Sequence, residues 1–225
     1  MGGHVHVAGV AGVGMSALAQ ALRWTHDRVT GSDRYFDQGM PLPIFDALRA
    51  AGIELTKQDG SAIEARTEAV VYSTAIEEGN PEFVAAKKAG VPLRHRAAML
   101  AELAQGRTVL AVAGTAGKTT TTGMLGWTLE QLGADPAVVN GGALVDWADA
   151  RHVGNVRRGG GGAPWVLEVD ESDRSLLNFR PEWSILTNVS QDHFTLEEVQ
   201  ALFRLTRKYA DSLQKSSPPG AMPGG

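Results

Sequence analysis

The sequence predicts an α/β protein of two successive units, a Rossmann-like one with a parallel sheet and then one of P-loop type. Three observations carry this. Short apolar runs of strand character alternate with stretches of helical period. Two of those runs end in glycine clusters that open into a helix. The alternation then restarts after Gly106, which divides the chain into residues 1–105, residues 106–215 and a tail, 216–225.

The first apolar run is His4–Ala8, followed by glycines and the helical pattern Met15–Trp24. There Met15, Leu18, Ala19 and Leu22 fall at i, i+3, i+4 and i+7, one face of a helix. A strand at Arg28–Thr30 leads into Gly31-Ser32-Asp33. The turn-rich stretch Tyr35–Pro43 precedes a helix at Ile44–Ala51, with Gly52 where a left-handed cap is favoured. Strands at Ile53–Leu55 and Ala69–Tyr72 follow, then a helix at Pro81–Ala89 closed by Gly90. Val91–Leu93 leads into a helix at Ala97–Ala104. The second unit reads as a strand at Thr108–Val112, a helix at Lys118–Leu132 and strands at Ala137–Val139, Trp165–Val169 and Trp183–Thr187. A last helix, Leu196–Leu213, presents one apolar face. Composition marks Gly159–Gly162 as flexible chain and the Pro/Gly tail from Ser216 as disordered.

Composition removes several function classes. The 21 basic and 25 acidic residues give a formal net charge of −4, which argues against nucleic-acid or acidic-lipid binding driven by charge. With no cysteine, disulfides, thiolate catalysis and Cys-ligated metal sites are excluded. The N-terminus has no basic segment before its apolar run, which His4 and His6 interrupt, and no stretch approaches the ~18 apolar residues of a membrane span. A soluble cytoplasmic protein is expected.

Four constellations sit at predicted strand ends. Gly9-Val10-Ala11-Gly12-Val13-Gly14 has the spacing G-x-x-G-x-G rather than the dinucleotide G-x-G-x-x-G. It suits either a diphosphate received on helix N–H groups or a tight turn with no ligand. Asp33 reads as a ribose or base contact, or as an N-cap. The second loop, Gly114-Thr115-Ala116-Gly117-Lys118-Thr119-Thr120, follows an apolar strand and opens a helix. Val112 stands where the longer P-loop pattern has glycine, so this is the shorter G-T-x-G-K-T form. Its backbone can cradle phosphates, Lys118 can reach the β/γ oxygens and the Thr119 hydroxyl can ligate Mg²⁺. Glu168-Val169-Asp170-Glu171-Ser172-Asp173 is either a second Mg²⁺ contact or a solvated acidic turn. Asp192 and His193, in Asn188–His193, could orient a metal-bound water or a substrate group, or be merely exposed.

In this order these motifs resemble those of the Mur ligases, the ATP-dependent amino-acid-adding enzymes of peptidoglycan synthesis. The resemblance runs through Gly9–Ser16, Gly31–Asp33, Ser73–Glu82 (STAIEEGNPE), Pro92–Leu103, Ala113–Thr122, Glu168–Asp173 and Asn188–His193. It implies a UDP-sugar, UDP-N-acetylmuramate, held by Gly12, Val13, Gly14, Asp33 and Ser73. It implies ATP on the second loop, from Gly114 to Thr120, and Mg²⁺ at Thr119, Glu168 and His193. Lys118, Glu168 and His193 would be the catalytic set. The implied reaction passes through an acyl phosphate, which the amino group of an amino acid, L-alanine or that of a peptide, then attacks. The family commonly has His where Ala116 stands, and often His where Ser61 stands. It has three domains, so this chain is expected to hold the first and an incomplete ATP-binding second. The alternatives are a non-catalytic UDP-sugar- or nucleotide-binding fragment and a muropeptide-recycling ligase.

Overall fold

The computed structural model of this chain describes residues 3–149, 152–169 and 181–188. Asp170–Asp173, Asp192, His193, the expected helix at Leu196–Leu213 and the tail lie outside the described residues.

The first sheet contains β1 (His4–Ala8), β2 (Arg28–Ser32), β3 (Ile53–Thr56), β4 (Thr67–Tyr72) and β5 (Leu93–His95), in the order β3-β2-β1-β4-β5. Every pairing is parallel. The crossovers are α1 (Val13–Leu22), the short α2 (Arg34–Asp37), α3 (Pro43–Ala50) and α4 (Pro81–Ala89); α5 (Arg96–Leu103) follows β5. Local chemistry sets the ends: Pro81 sits in the first turn of α4, Asn80 caps it by accepting from the Glu82 N–H, and Gly90 ends it at φ +70°. The strand order changes direction between β1 and β4, which opens a crevice at their carboxyl ends.

The second sheet contains β6 (Val109–Ala113), β7 (Ala137–Val139), β8 (Val156–Arg157), β9 (Trp165–Glu168) and β10 (Trp183–Leu186). Their order is β10-β6-β9-β7-β8, parallel except for the antiparallel β7–β8 pair. The helix α6 (Lys118–Gln131) joins β6 to β7. It packs closely because a Cβ at Gly126 would stand 2.8 Å from Val138 Cγ2. β5, β8 and α2 were not legible as elements: each is four residues or fewer and carries charged residues, without the unbroken apolar run that marks β7.

The sequence pattern gives α1 one apolar face, yet every residue from Met15 to Leu22 is buried. The cause is its position between the two sheets. Val5, Val7 and Val29 of the first and Val139, Trp165 and Leu167 of the second share one core cluster with it. Trp24, just past the helix, meets Trp165 edge-on at 5.6 Å. Gly159–Gly162 is also better ordered than its composition implies. The Gly160 N–H donates to Asp135 O, and a Cβ on Gly159 would collide with the backbone of Asp135–Ala137.

Candidate functional site

The first glycine loop leaves β1 at the crevice. Gly9 takes φ +71°, and its N–H and that of Val10 both donate to Ser32 O, which folds the loop over the end of β2. The Asp33 carboxylate completes the hold: Oδ2 accepts from Ala11 N at 3.0 Å and Oδ1 from Tyr35 N at 3.0 Å. Asp33 is therefore the N-cap of α2 and a brace for the loop, with both oxygens already engaged by backbone. Past Gly12, the first N–H groups of α1 lack intrahelical acceptors and point out of the helix end.

Two cavities meet at this loop. One, of about 510 Å³, is lined by Gly9, Gly12, Asp33, Tyr35, Ser73 and Asn80 among others. The next, of about 310 Å³, is lined by Gly12, Val13, Gly14, Ser73, Arg96 and Glu168 among others. Gly12, Met15 and Ser73 belong to both. A groove thus runs from Asp33 over the first glycine loop to Glu168; of the five expected sugar-nucleotide residues, Gly12, Asp33 and Ser73 line the larger half and Gly12, Val13, Gly14 and Ser73 the smaller. Arg96 was not singled out from the sequence. It opens α5, and a Cβ on Gly14 would stand 3.0 Å from its guanidinium.

The second loop is built where β6, β9 and β10 end together. Gly114 adopts φ +133° and Gly117 φ +81°, conformations that L side chains rarely take. A Cβ on Gly114 would also collide with the Thr187 hydroxyl and with Asn188 backbone. Asn188 clasps the loop from β10: its Oδ1 accepts from Ala116 N at 3.0 Å and its Nδ2 donates to Ala116 O at 2.9 Å. Ala116 contributes only this backbone. The Thr187 hydroxyl donates to the same carbonyl at 2.6 Å. The Lys118 ammonium lies over the loop and donates to Gly114 O at 2.7 Å.

Glu168 stands at the end of β9, its Cα in register with Val112 on β6. Its Oε1 accepts from Thr119 Oγ1 at 3.0 Å and its Oε2 from Gly141 N at 2.5 Å. Hydroxyl and carboxylate are hard oxygen donors, and 3.0 Å matches the ~3 Å edge of a Mg²⁺ octahedron with ~2.1 Å bonds. This pair fits a divalent cation. No group of three or more His, Asp or Glu forms a metal cluster among the described residues, and His193 lies outside them.

Asn140 also went unnoticed in the sequence. It is 2% exposed, lines both the 310 Å³ cavity and a third of about 570 Å³ beside Thr119, Thr120 and Trp127, and its Oδ1 has no hydrogen-bond partner. A buried acceptor left open at a cavity wall is a place for a ligand donor. Its one sequence signal is a polar residue ending the apolar run Ala137–Val139 just before Gly141-Gly142.

Comparison with known proteins gives matching results along the chain. Residues 4–108 match the Mur ligase family, catalytic domain, and residues 112–204 the Mur ligase middle domain. A UDP-N-acetylmuramate--L-alanine ligase of Gloeobacter violaceus is 39% identical over 88% of this chain, and one of Coxiella burnetii 37% over 97%. The chain spans 42% and 44% of the lengths of these relatives. Among solved structures, the UDP-N-acetylmuramate-alanine ligase of Thermotoga maritima superposes with a TM-score of 0.75 at 29% identity, over 93% of this chain and 47% of its own. The UDP-N-acetylmuramate:L-alanyl-gamma-D-glutamyl-meso-diaminopimelate ligase of Neisseria meningitides gives 0.77 at 26%, over 93% and 68%. No helix among the described residues is long and apolar enough to cross a membrane.

Proposed function

This chain belongs to the Mur ligase family, and from that premise we propose that it is the sugar-nucleotide- and ATP-binding portion of an enzyme that joins L-alanine to UDP-N-acetylmuramate. The single observation that carries the reading is the groove from Asp33 to Glu168, whose carboxylate accepts from the Thr119 hydroxyl of the lysine-bearing phosphate loop. The nucleoside takes the cavity beside Asp33 and Tyr35, and the diphosphate lies over Gly12, Val13 and Gly14, against the N-terminus of α1. Ser73 and Arg96 flank it. The carboxylate end of the sugar then points at Glu168 and Lys118.

ATP takes the second loop, Gly114 to Thr120, its phosphates on the N–H groups that open α6 from Gly117 onward, since those of Thr115 and Ala116 are engaged by Asn188. Lys118 neutralises charge that spreads over the transferred phosphoryl group, a task on the scale of ~3 kcal/mol for one well-placed donor. Thr119 and Glu168 would hold Mg²⁺, with His193 as a further ligand. The ion, when bound, supplies positive charge to the phosphate oxygens and a template for their alignment. The glycine conformations at 114 and 117 let the loop turn tightly against Thr187 and Asn188 before it opens α6. The acyl phosphate so formed needs shelter from water before an amino group reaches it. No nucleic acid or membrane partner enters this reading, and the protein is placed in the cytoplasm with its soluble substrates.

A peptide-adding ligase of wall recycling is the second reading, supported by the TM-score of 0.77 to such an enzyme; the higher identity to the alanine ligase structure, 29% against 26%, favours the first. Calorimetric titration of the chain with UDP-N-acetylmuramate and, separately, with Mg-ATP tests the proposal. Saturable binding of both is expected. Binding of the sugar nucleotide alone would reduce the chain to a UDP-sugar-binding fragment, and binding of neither would overturn both assignments.

A further inference from the structure

We propose that Asn155 is a positioning residue that couples the first glycine loop to the Glu168–Thr119 pair. The inference rests on the two-ligand reading above for its functional meaning. Its geometry stands independently.

Asn155 belongs to the second unit, one residue before β8, yet its side chain grips α1 of the first. It is fully buried. Its Nδ2 donates to Val13 O at 3.1 Å and to Ser16 Oγ at 3.0 Å, and its Oδ1 accepts from Gln20 Nε2 at 2.9 Å. Gln20 also donates to Ser16 O at 3.0 Å, so the amide can sit only one way round. Gly154, at φ +84°, brings the chain in where a Cβ would meet Leu144 O at 2.7 Å and Ala148 Cβ at 2.8 Å. The approach is therefore fixed on both sides.

The backbone of the same residue serves the other site. Asn155 O accepts from Asn140 N at 2.9 Å, and the next residue, Gly141, donates its N–H to Glu168 Oε2. Glu168 Oε1 in turn receives the Thr119 hydroxyl. One residue thus holds the carbonyl of Val13, at the helix end that faces the groove, and the strand end that aims the carboxylate. An apolar side chain of similar size would fill the same space between α1 and the sheet. A fully satisfied polar cluster fixes one relative arrangement of the units, which packing alone does not.

Asn155→Asp is nearly the same shape and titratable. Protonated, it can still donate to Val13 O; ionised, it sets a carboxylate oxygen against that carbonyl. Its partners Val13, Ser16 and Gln20 carry no titratable group. Those on the surrounding elements are His152, Arg157 with Glu130 and Asp135, Arg96 and Glu168, and wild type measured in parallel carries their contribution. Asn155→Leu removes the donors at every pH and buries no charge. Amide exchange is followed at Ser16–Ala17, the first amides of α1 with acceptors in the loop, and at Asn140–Gly141, between about pH 6 and pH 9, relative to wild type at each pH. For Asn155→Asp, exchange at both segments is expected to rise from wild-type rates to about tenfold faster as pH increases, the scale of one lost buried hydrogen bond. For Asn155→Leu the rise is expected at both segments and at all pH values. A response confined to Ser16–Ala17, or absent from both segments, would overturn the coupling. UDP-N-acetylmuramate affinity, read in the same samples, should fall as the exchange at Ser16–Ala17 rises. Failure of wild type to bind it would retire the sugar-nucleotide reading, while the exchange rates would still decide whether Asn155 couples the two segments.

Discussion

The two glycine loops look alike in sequence and are built differently. The first opens a helix that is buried from Met15 to Leu22, is braced by Asp33 and offers backbone N–H groups. The second opens α6, of which only Thr122, Gly123 and Gly126 are buried, and adds a lysine, a hydroxyl and a carboxylate. A diphosphate that only has to be held needs dipoles and shape. A phosphoryl group that is to be transferred needs mobile charge and a cation. The difference between the loops is thus a difference between holding and reacting.

The largest break in that comparison should come from Gly114→Ala. Its φ of +133° and the collision with Thr187 and Asn188 leave no relief, so a destabilisation of about 3 kcal/mol and loss of Mg-ATP binding are expected in thermal melts and calorimetry. Gly9→Ala meets only the tip of Ile76, 2.9 Å from the added Cβ, and should cost about 1 kcal/mol in the same melts. Equal losses in the two variants would erase the distinction.

Glu168→Gln keeps an acceptor for Gly141 N–H and removes the charge. Mg-ATP affinity should drop by an order of magnitude or so, while UDP-N-acetylmuramate affinity changes little. A parallel loss of both would make Glu168 a structural brace rather than a cation ligand.

These expectations also mark what the sequence could reveal. Lys118 and Thr119 were legible because strand, glycines and helix are contiguous there, and local chemistry alone dictates the loop. Asp33 was legible as an N-cap but not as the brace of the glycine loop, since that partner, Ala11, is 22 positions away. Asn155 was invisible. It lies in an irregular stretch, and its partner Gln20 is separated from it by 135 positions. Only the pairing of a polar residue buried in α1 with the second unit exposes it. The all-round burial of α1 escaped for the same reason: periodicity reports one partner surface, and here there are two.

Smaller effects sharpen the picture further. Asp33→Ala removes a cap and the brace on Ala11 N; a loss of about 1 kcal/mol in stability is expected, with weaker UDP-N-acetylmuramate binding and unchanged Mg-ATP binding. The smallest effect concerns acid. Hydrogen bonds from Arg28 hold the Glu54 and Glu64 carboxyls below their ordinary value of 4.5, with Arg66 adding to the second. A depressed carboxyl stabilises the fold above its unfolded pKa, and that contribution disappears as pH falls through the lowered folded value. Because the cluster is exposed, the loss below about pH 4 should be slight and should shrink further in salt. Urea titrations at low and high ionic strength would register it; a steep, salt-independent loss would point instead to a buried group.

The central claim is that two loops serve two ligands in one continuous site. Titration of the Lys118→Ala chain with both ligands tests it most directly. UDP-N-acetylmuramate should bind with wild-type affinity while Mg-ATP binding weakens by about a hundredfold, the cost of one charge-assisted donor. Loss of UDP-N-acetylmuramate binding in that variant, or retention of Mg-ATP binding, would contradict it.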